Sequence, residues 1–258
     1  MKRFIFFLLS FVVLTAGCQE TAEQTETTKL TISAAASLTD SLLEIKEQFE
    51  QDNPNVELAI NFGSTGSLRR QVEQGAPIDV FFSASEADYQ KLVDGGFVAK
   101  GNILVTNQLV IIKGVGVQAN SFEQWIADNN GNAKVAMGTP DVVPAGTYAK
   151  EALESLNKWE SLSNQFVFAK DVRHVLTLVS QGATEIGFVY KSDMINEKNI
   201  ELLEKINPNR HEPINYYVAV LNTKIKKEAT TLLIDYVMSD AGLSIFESNG
   251  FEIEVNDR

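Results

Sequence analysis

Short apolar runs along the chain alternate with longer stretches in which apolar residues recur every three or four positions. Eight of the runs predict β-strands, at residues 29–33, 56–62, 78–83, 108–113, 134–137, 166–169, 185–190 and 214–220. Five of the longer stretches predict helices, at residues 38–50, 68–74, 86–94, 145–157 and 172–180. Strands that alternate with helices at this spacing are typical of an α/β fold, in which parallel sheets are flanked by helices.

Two hydroxyl-rich turns each follow a predicted strand and open a predicted helix. Their sequences are AAASLTD at residues 34–40 and FGSTGSL at residues 62–68. In an α/β sheet, ligands bind beyond the carboxyl ends of the strands, where helices begin with unpaired N–H groups and a partial positive charge. Two converging turns of this kind would bind an anion without any charged side chain. Ordinary N-capping by Ser and Thr is the alternative for each turn.

Three further segments lead from a strand into a helix or turn. Pro144 suits the first turn of a helix and leaves the N–H groups of Ala145 and Gly146 free to face a ligand. Asp171 can cap the helix that follows it, which is the plain structural alternative for that segment. Tyr190 lies at the tip of a strand, where a tyrosine usually packs, although a buried hydroxyl needs a hydrogen-bond partner.

The N-terminus predicts export. Lys2 and Arg3 precede an apolar run at residues 4–14 that is too short to span a bilayer, which favours a signal peptide over a membrane anchor. The sequence LTAG before Cys18 resembles a bacterial lipoprotein cleavage site, which implies a signal peptide at 1–17 and a lipid on the Cys18 sulfur. Because Cys18 is the only cysteine, a disulfide framework is excluded. This implies that residues 18–29 form a flexible polar tether, which would anchor the protein to the outer face of the cytoplasmic membrane.

The chain is acidic, with a formal net charge of −12. Removal of residues 1–17 takes away Lys2 and Arg3 and no acidic residue, which brings the mature chain to −14. Nucleic-acid binding needs a basic footprint, so this charge argues against nucleic acid as a partner. An anionic ligand would have to be held by local dipoles against an unfavourable overall field. Acidic runs such as 197–204 predict solvated helix faces or helix ends.

Five segments, in their order and spacing, resemble the molybdate-binding proteins of ABC importers. They are AAASLT at 34–39, GAPIDVF at 75–81, VPAGTYAKEAL at 143–153, DVR at 171–173 and GFVY at 187–190. The resemblance, which extends over about residues 30–252, implies a two-lobed periplasmic-binding-protein fold of the type II kind. Each lobe would be a mostly parallel sheet flanked by helices, with the ligand cleft between the lobes. It places lobe one at 30–106 and 216–258 and lobe two at 107–215, with the chain crossing near 107–111 and 212–216.

The resemblance also implies which groups bind the ligand, a molybdate or tungstate dianion contacted only through its oxygens. The implied donors are the hydroxyl and N–H of Ser37 and of Thr65, the backbone N–H of Ala145 and of Val172, and the hydroxyl of Tyr190. Ser64, next to Thr65, is an alternative hydroxyl donor. The same resemblance implies delivery to an ABC permease and its ATPase, a monomer, no cofactor and no enzymatic activity.

Other functions fit the sequence less well. A serine hydrolase needs Ser with His and Asp, but the chain has two histidines, His174 and His211, and GSTGS at 63–67 breaks the Gly-x-Ser-x-Gly pattern. Ferric-ion receptors can use adjacent tyrosines, and Tyr216 with Tyr217 matches superficially, although neighbouring side chains of a strand point to opposite faces. A zinc site lacks clustered His or Cys ligands. A receptor for sulfate or another tetrahedral oxyanion is the alternative among binding proteins.

Overall fold

The computed structural model describes residues 27–129, 131, 133–223 and 228–253. The predicted signal peptide, the lipid attachment at Cys18 and most of the predicted tether lie outside these residues. The first strand begins at Thr28, so the last two residues of the predicted tether already belong to a sheet. Within the described part of the chain, no helix combines the length and apolar character needed to cross a membrane.

Two five-stranded sheets form the centre of the molecule. The first sheet contains β1 (Thr28–Ala35), β2 (Val56–Gly63), β3 (Val80–Ser83), β4 (Val98–Thr106) and β10 (Asn215–Leu221). The second sheet contains β5 (Leu109–Gly114), β6 (Val135–Gly138), β7 (Phe166–Ala169), β8 (Ile186–Tyr190) and β9 (Ile200–Lys205). All eight predicted strands are confirmed, whereas β4 and β9 are not predicted by the sequence pattern.

In each sheet four strands run in one direction and one runs against them. The order of the first sheet is β2-β1-β3-β10-β4, with β1 parallel to β2 and β3, and β10 antiparallel to β3 and β4. The order of the second sheet is β7-β6-β8-β5-β9, in which β5 is the reversed strand. The prediction of mostly parallel sheets is therefore confirmed, with one antiparallel strand in each.

Helices connect most of the strands and cover the sheets. Those of the described residues are α1 (Thr39–Asp52), α2 (Thr65–Glu73), α3 (Glu86–Asp94), α4 (Phe122–Asn129), α5 (Pro144–Ser155), α6 (Trp159–Leu162), α7 (Val172–Ser180), α8 (Glu228–Val237) and α9 (Asp240–Ser248). The five predicted helices are confirmed as α1, α2, α3, α5 and α7. A short 3₁₀ turn, Ala36–Leu38, precedes α1, and α2 begins at Thr65, so the second hydroxyl-rich turn contains the start of its helix.

The prediction of a solvated helix face for the acidic run 197–204 is wrong, because part of this run forms β9. This strand lies at the edge of the second sheet and pairs with β5. Ile200 and Leu203 are buried while Glu201 is exposed, and a register shift breaks the two-residue alternation that would mark a strand. Charged residues on an edge strand discourage pairing with other chains, which accounts for the acidic composition.

The chain passes between the two sheets twice. It leaves the first sheet after Thr106 and enters the second at Leu109, and it returns between Lys205 and Asn215. The N–H of Asn107 donates to a carbonyl of the return passage, that of Ile214, at 3.1 Å. We call residues 27–106 and 215–253 lobe one, and residues 109–205 lobe two. The ranges 30–106 with 216–258 and 107–215 stay predictions for how the chain divides into moving units.

Helices begin at the carboxyl ends of parallel strands in both lobes. In lobe one, β1 leads into the 3₁₀ turn and α1, and β2 leads into α2; in lobe two, β6 leads towards α5 and β7 towards α7. Packing holds each helix at its sheet, as in α1, where Leu42, Ile45 and Phe49 are buried at helical spacing. These helix starts face one another across the gap between the lobes, and they define the candidate site.

Candidate functional site

A small cavity lies between the two lobes, where these helices begin. It contains about 210 Å³ of unfilled space and is lined by residues 35–37, 63–65, 84, 143–145, 171–172 and 190. The lining includes all six residues that are predicted to contact a ligand, which are Ser37, Ser64, Thr65, Ala145, Val172 and Tyr190. The structure therefore brings together residues that are far apart in the sequence, and contact with a ligand stays a prediction.

Lobe one presents three hydroxyl groups to the cavity. Ser37 does not cap a helix, and its Oγ lies 2.8 Å from the Oη of Tyr216. Ser64 is the N-cap residue of α2, yet its side chain makes no capping hydrogen bond. The Oγ1 of Thr65 accepts the N–H of Ala84 at 3.2 Å, which leaves the Thr65 hydrogen free to donate. Capping thus accounts for neither Ser37 nor Ser64, and the choice between Ser64 and Thr65 as side-chain donor stays open.

In lobe two, the first turn of α5 presents the backbone N–H of Ala145. Pro144 is the first residue of the helix and has no N–H. The N–H of Gly146 donates to the carbonyl of Val143 at 2.9 Å, so the prediction that this N–H is free for a ligand is wrong. Ala145 therefore has no acceptor within its own helix, as expected for a group in the first turn.

The start of α7 presents a second backbone donor. Asp171 caps this helix, because its carboxylate accepts the N–H of His174 at 2.8 Å. The capping prediction for Asp171 is thus confirmed. Val172 is the first residue of α7 and lines the cavity, and its N–H precedes the first hydrogen bond of the helix, so it has no intrahelical acceptor.

Tyr190 ends β8 with its side chain buried at the cavity. The residue is 1% exposed, and its hydroxyl has no hydrogen-bond partner among the described residues. Burial, with a smaller effect from Tyr216, raises the pKa of Tyr190 well above its ordinary value, so the phenol stays protonated and can donate. A buried hydroxyl without a partner costs about 1–3 kcal/mol, which an oxyanion in the cavity would relieve.

The electrostatics of the cavity come from dipoles rather than from cations. Neither Lys nor Arg is among the residues that line it. The cation adjacent in sequence, Arg173, is paired with Asp40 of lobe one through two hydrogen bonds of 3.1 Å each. Attraction for an anion would therefore come from the N-termini of the helices and from oriented hydroxyl groups.

Among the contacts that join the lobes are two that sequence reasoning missed. The first is the pair of Asp40 and Arg173. In the second, the N–H of Gly66 in α2 donates to the carbonyl of Val142 at 3.1 Å. A Cβ on Gly66 would lie 2.7 Å from that carbonyl oxygen, so the close approach of the lobes requires glycine. No local pattern could reveal these contacts, because they exist only where the two lobes meet.

The adjacent tyrosines diverge, as the strand interpretation predicts. Tyr216 is fully buried and lies against Ser37 and Tyr190, with its ring centroid 5.9 Å from that of Tyr190. Tyr217 instead stacks on Tyr89 at a centroid distance of 4.4 Å. A two-tyrosine ferric site is therefore not formed by this pair. The contact of Tyr216 with the cavity residue Ser37 is a feature that the sequence analysis did not predict.

The two histidines, which the sequence analysis considered for catalysis, lie outside the cavity. Neither His174 nor His211 lines the cavity. His211 contacts Tyr148, with ring centroids 5.7 Å apart. Among the described residues, no group of three or more His, Cys, Asp or Glu side chains is arranged to hold a metal ion.

A larger cavity opens beside the first between the lobes. It contains about 980 Å³ of unfilled space, and its lining includes five carboxylates, those of Glu86, Asp88, Asp141, Glu151 and Glu212. Lys91 is the cation among its lining residues. This negative lining opposes the binding of an anion, so the smaller cavity is the better candidate site for an oxyanion.

The known proteins that this chain resembles in sequence are solute-binding proteins of bacterial transport. A family model described as bacterial extracellular solute-binding protein matches residues 30–252. The putative ABC transporter substrate-binding lipoprotein YvgL of Bacillus subtilis is 38% identical over 98% of this chain and 99% of its own length. The molybdate-binding protein ModA of Escherichia coli is 34% identical over 88% of this chain and 90% of its own length.

One solved structure is similar to this chain at a sequence identity comparable with that of these relatives. The substrate binding domain of a putative molybdenum ABC transporter from Clostridium difficile is 36% identical, with a TM-score of 0.68, over 88% of this chain and 99% of that chain. This likeness over the whole domain confirms the predicted α/β architecture with two lobes.

Proposed function

We propose that this chain, which belongs to the family of bacterial extracellular solute-binding proteins, captures molybdate or tungstate outside the cytoplasm and delivers it to an ABC transporter. The observation that carries the proposal is the cavity between the lobes, where neutral donors converge and no cation is present. The ligand named for the relative in Escherichia coli and the metal named for the structure from Clostridium difficile support the same cargo.

The donor set suits an oxyanion that carries no proton. Molybdate and tungstate are dianions at neutral pH, so all of their oxygens act as hydrogen-bond acceptors. The donors are the hydroxyls of Ser37 and Tyr190 and the N–H groups of Ala145 and Val172. Thr65, or its neighbour Ser64, completes the set from lobe one. Hydrogen bonds to a charged group contribute about 1.5–3 kcal/mol each, so a few of them suffice for tight binding.

The same chemistry discriminates against other oxyanions. Phosphate near neutral pH still carries a proton, which needs an acceptor, and leaving that proton unpaired costs about 1–3 kcal/mol. Sulfate has no such proton and must be rejected by size. In a cavity shaped for the larger molybdate, the hydrogen bonds to sulfate are stretched and therefore weaker. Fixed dipoles also avoid the desolvation penalty of a buried cation.

The cellular setting follows from the N-terminus and the family. We infer that residues 1–17 are removed and that lipid on Cys18 anchors the protein, through the tether 18–29, to the outer face of the cytoplasmic membrane. The description of the Bacillus subtilis relative as a lipoprotein supports this anchor. The protein then acts as a monomeric receptor without cofactor or catalysis, and its partners are an ABC permease and the ATPase of that transporter.

A thermal-shift series on the unlipidated chain, residues 19–258, tests the proposal. Molybdate and tungstate at about a thousand times their Kd should stabilise the protein by about 4 kcal/mol, which raises the melting midpoint by about 2–4 °C for each kcal/mol. Sulfate, phosphate and ferric citrate should leave the midpoint unchanged. A shift with sulfate alone would move the specificity to another oxyanion, and no shift with any oxyanion would overturn the proposal.

Single variants assign the site within the same assay. Ser37→Ala and Tyr190→Phe each remove one hydroxyl donor to a charged ligand, one from each lobe, and should weaken molybdate binding by roughly 1–3 kcal/mol. Tyr217→Phe removes a tyrosine hydroxyl away from the cavity and should bind as the wild type does. Unchanged affinity in the first two variants would remove these residues from the site.

A further inference from the structure

The Ser37 hydroxyl is hydrogen-bonded to a buried tyrosine from the far end of lobe one. Its Oγ lies 2.8 Å from the Oη of Tyr216, a fully buried residue of β10, and 179 positions separate the two residues in sequence. Burial, with a smaller effect from Asp193, raises the pKa of Tyr216 well above its ordinary value, so this phenol keeps its proton and can donate it.

The Ser37 hydroxyl has one hydrogen, so it can donate either to Tyr216 or towards the cavity, but not to both at once. When it donates to an oxyanion in the cavity, the hydrogen of the 2.8 Å bond must come from the Tyr216 hydroxyl.

We propose that Tyr216 is a positioning residue for the anion site: its O–H donates to the Oγ of Ser37, and this fixes the Ser37 hydroxyl as a donor towards the cavity. Without Tyr216, the Ser37 hydroxyl is free to rotate and must be reordered each time the ligand binds. The inference rests on the proposed function, since it concerns how the same site holds its oxyanion. Tyr216 itself is not among the residues that line the cavity.

The test is a double-mutant cycle read by calorimetric titration with molybdate. Four proteins are compared, which are the wild type, Tyr216→Phe, Ser37→Ala and the double variant, each as the unlipidated chain 19–258. Loss of one neutral hydrogen bond that orders Ser37 should raise the Kd of Tyr216→Phe by about 3- to 10-fold. In the Ser37→Ala background the same substitution should change the Kd by less than about 2-fold, because there is no hydroxyl left to position.

The matched control is Tyr217→Phe, the same chemical change at the next residue of the same strand. Its side chain stacks on Tyr89 away from the cavity, so its Kd should equal that of the wild type. Equal losses for Tyr216→Phe in both backgrounds, or no loss in either, would overturn the positioning role. Failure of the wild type to bind molybdate would instead overturn the proposed function, so the two failures are distinguishable. Melting midpoints of the ligand-free variants show whether Tyr216→Phe stays folded; a loss of affinity that merely tracks a fall in midpoint in both backgrounds also contradicts the proposal.

Discussion

Gly66→Ala tests whether the contact between the lobes is part of the ligand-bound state. Gly66 is the second residue of α2, and its N–H bonds to Val142 of the opposite lobe. The added Cβ would lie 2.7 Å from the carbonyl oxygen of Val142 and 3.1 Å from its Cα. Both are backbone atoms, so no side-chain rotation can relieve the overlap, and the lobes must separate.

The structure sets the size of the effect. An ordinary contact of 3.4 Å requires the Val142 backbone to withdraw by about 0.7 Å, which also stretches the 3.1 Å hydrogen bond beyond a useful length. Overpacking of this kind costs about 1–3 kcal/mol, and because it acts only when the lobes close, it appears in the affinity. The Kd for molybdate should therefore rise by about 5- to 150-fold.

The stability of the ligand-free protein should respond in the opposite direction. With the lobes apart the Cβ meets nothing across the cleft, and Ala is a better helix former than Gly by up to about 1 kcal/mol. Titration with molybdate and thermal melting without ligand separate the two effects. Ser67→Ala, at the next residue of α2, is the control, since Ser67 does not line the cavity. Wild-type affinity in Gly66→Ala, or an equal loss in Ser67→Ala, would refute the reasoning.

Three further perturbations follow from the site. Val172→Pro deletes one backbone donor at a helix position that accepts proline, and it should raise the Kd for molybdate by about 10-fold or more. An unchanged Kd would show that this N–H does not bind the ligand. Asp40→Asn breaks the partly exposed pair with Arg173 and should weaken binding by only about 2- to 5-fold at low salt, an effect that titration in high salt should abolish. Burial raises the pKa of Asp193 from 3.8 to about 7, so the folded state binds the proton more tightly and loses stability as the pH rises between these values. Asp193→Asn should remove this loss of about 4 kcal/mol, and urea denaturation at pH 4 and pH 8 should show a gain over the wild type at pH 8 alone.

Local patterns made much of the fold predictable. The strand β8 is a continuous apolar run, β1 and β2 have apolar residues at alternate positions, and α1 and α7 bury residues at helical spacing. The edge strand β9, which escaped prediction, lacks such a signal. The strand β9 carries charged residues at a sheet edge, with a register shift that interrupts its alternation.

The candidate site, like the fold, could be predicted from the sequence only in part. Turn chemistry at the ends of strands, together with the family resemblance, predicts the groups that line the cavity, because each donor is set by its own few neighbours. What could not be predicted depends on distant pairs. Ser37 meets Tyr216 across 179 positions, and Gly66 meets Val142 only where the lobes touch. Periodicity and capping rules carry no information about such pairs.

The arrangement of the first sheet also determines the order in which the protein can fold. The strand β4 has β10 as its neighbour in the sheet, and β10 is separated from it in sequence by the whole of lobe two. Lobe two is contiguous and can complete its sheet as soon as its own residues are available, whereas lobe one must close a loop of that length before β4 is paired. During vectorial emergence from the N-terminus, lobe one is thus the last part to be completed. The hydrogen bond between Ser37 and Tyr216 therefore forms only at this last stage of folding.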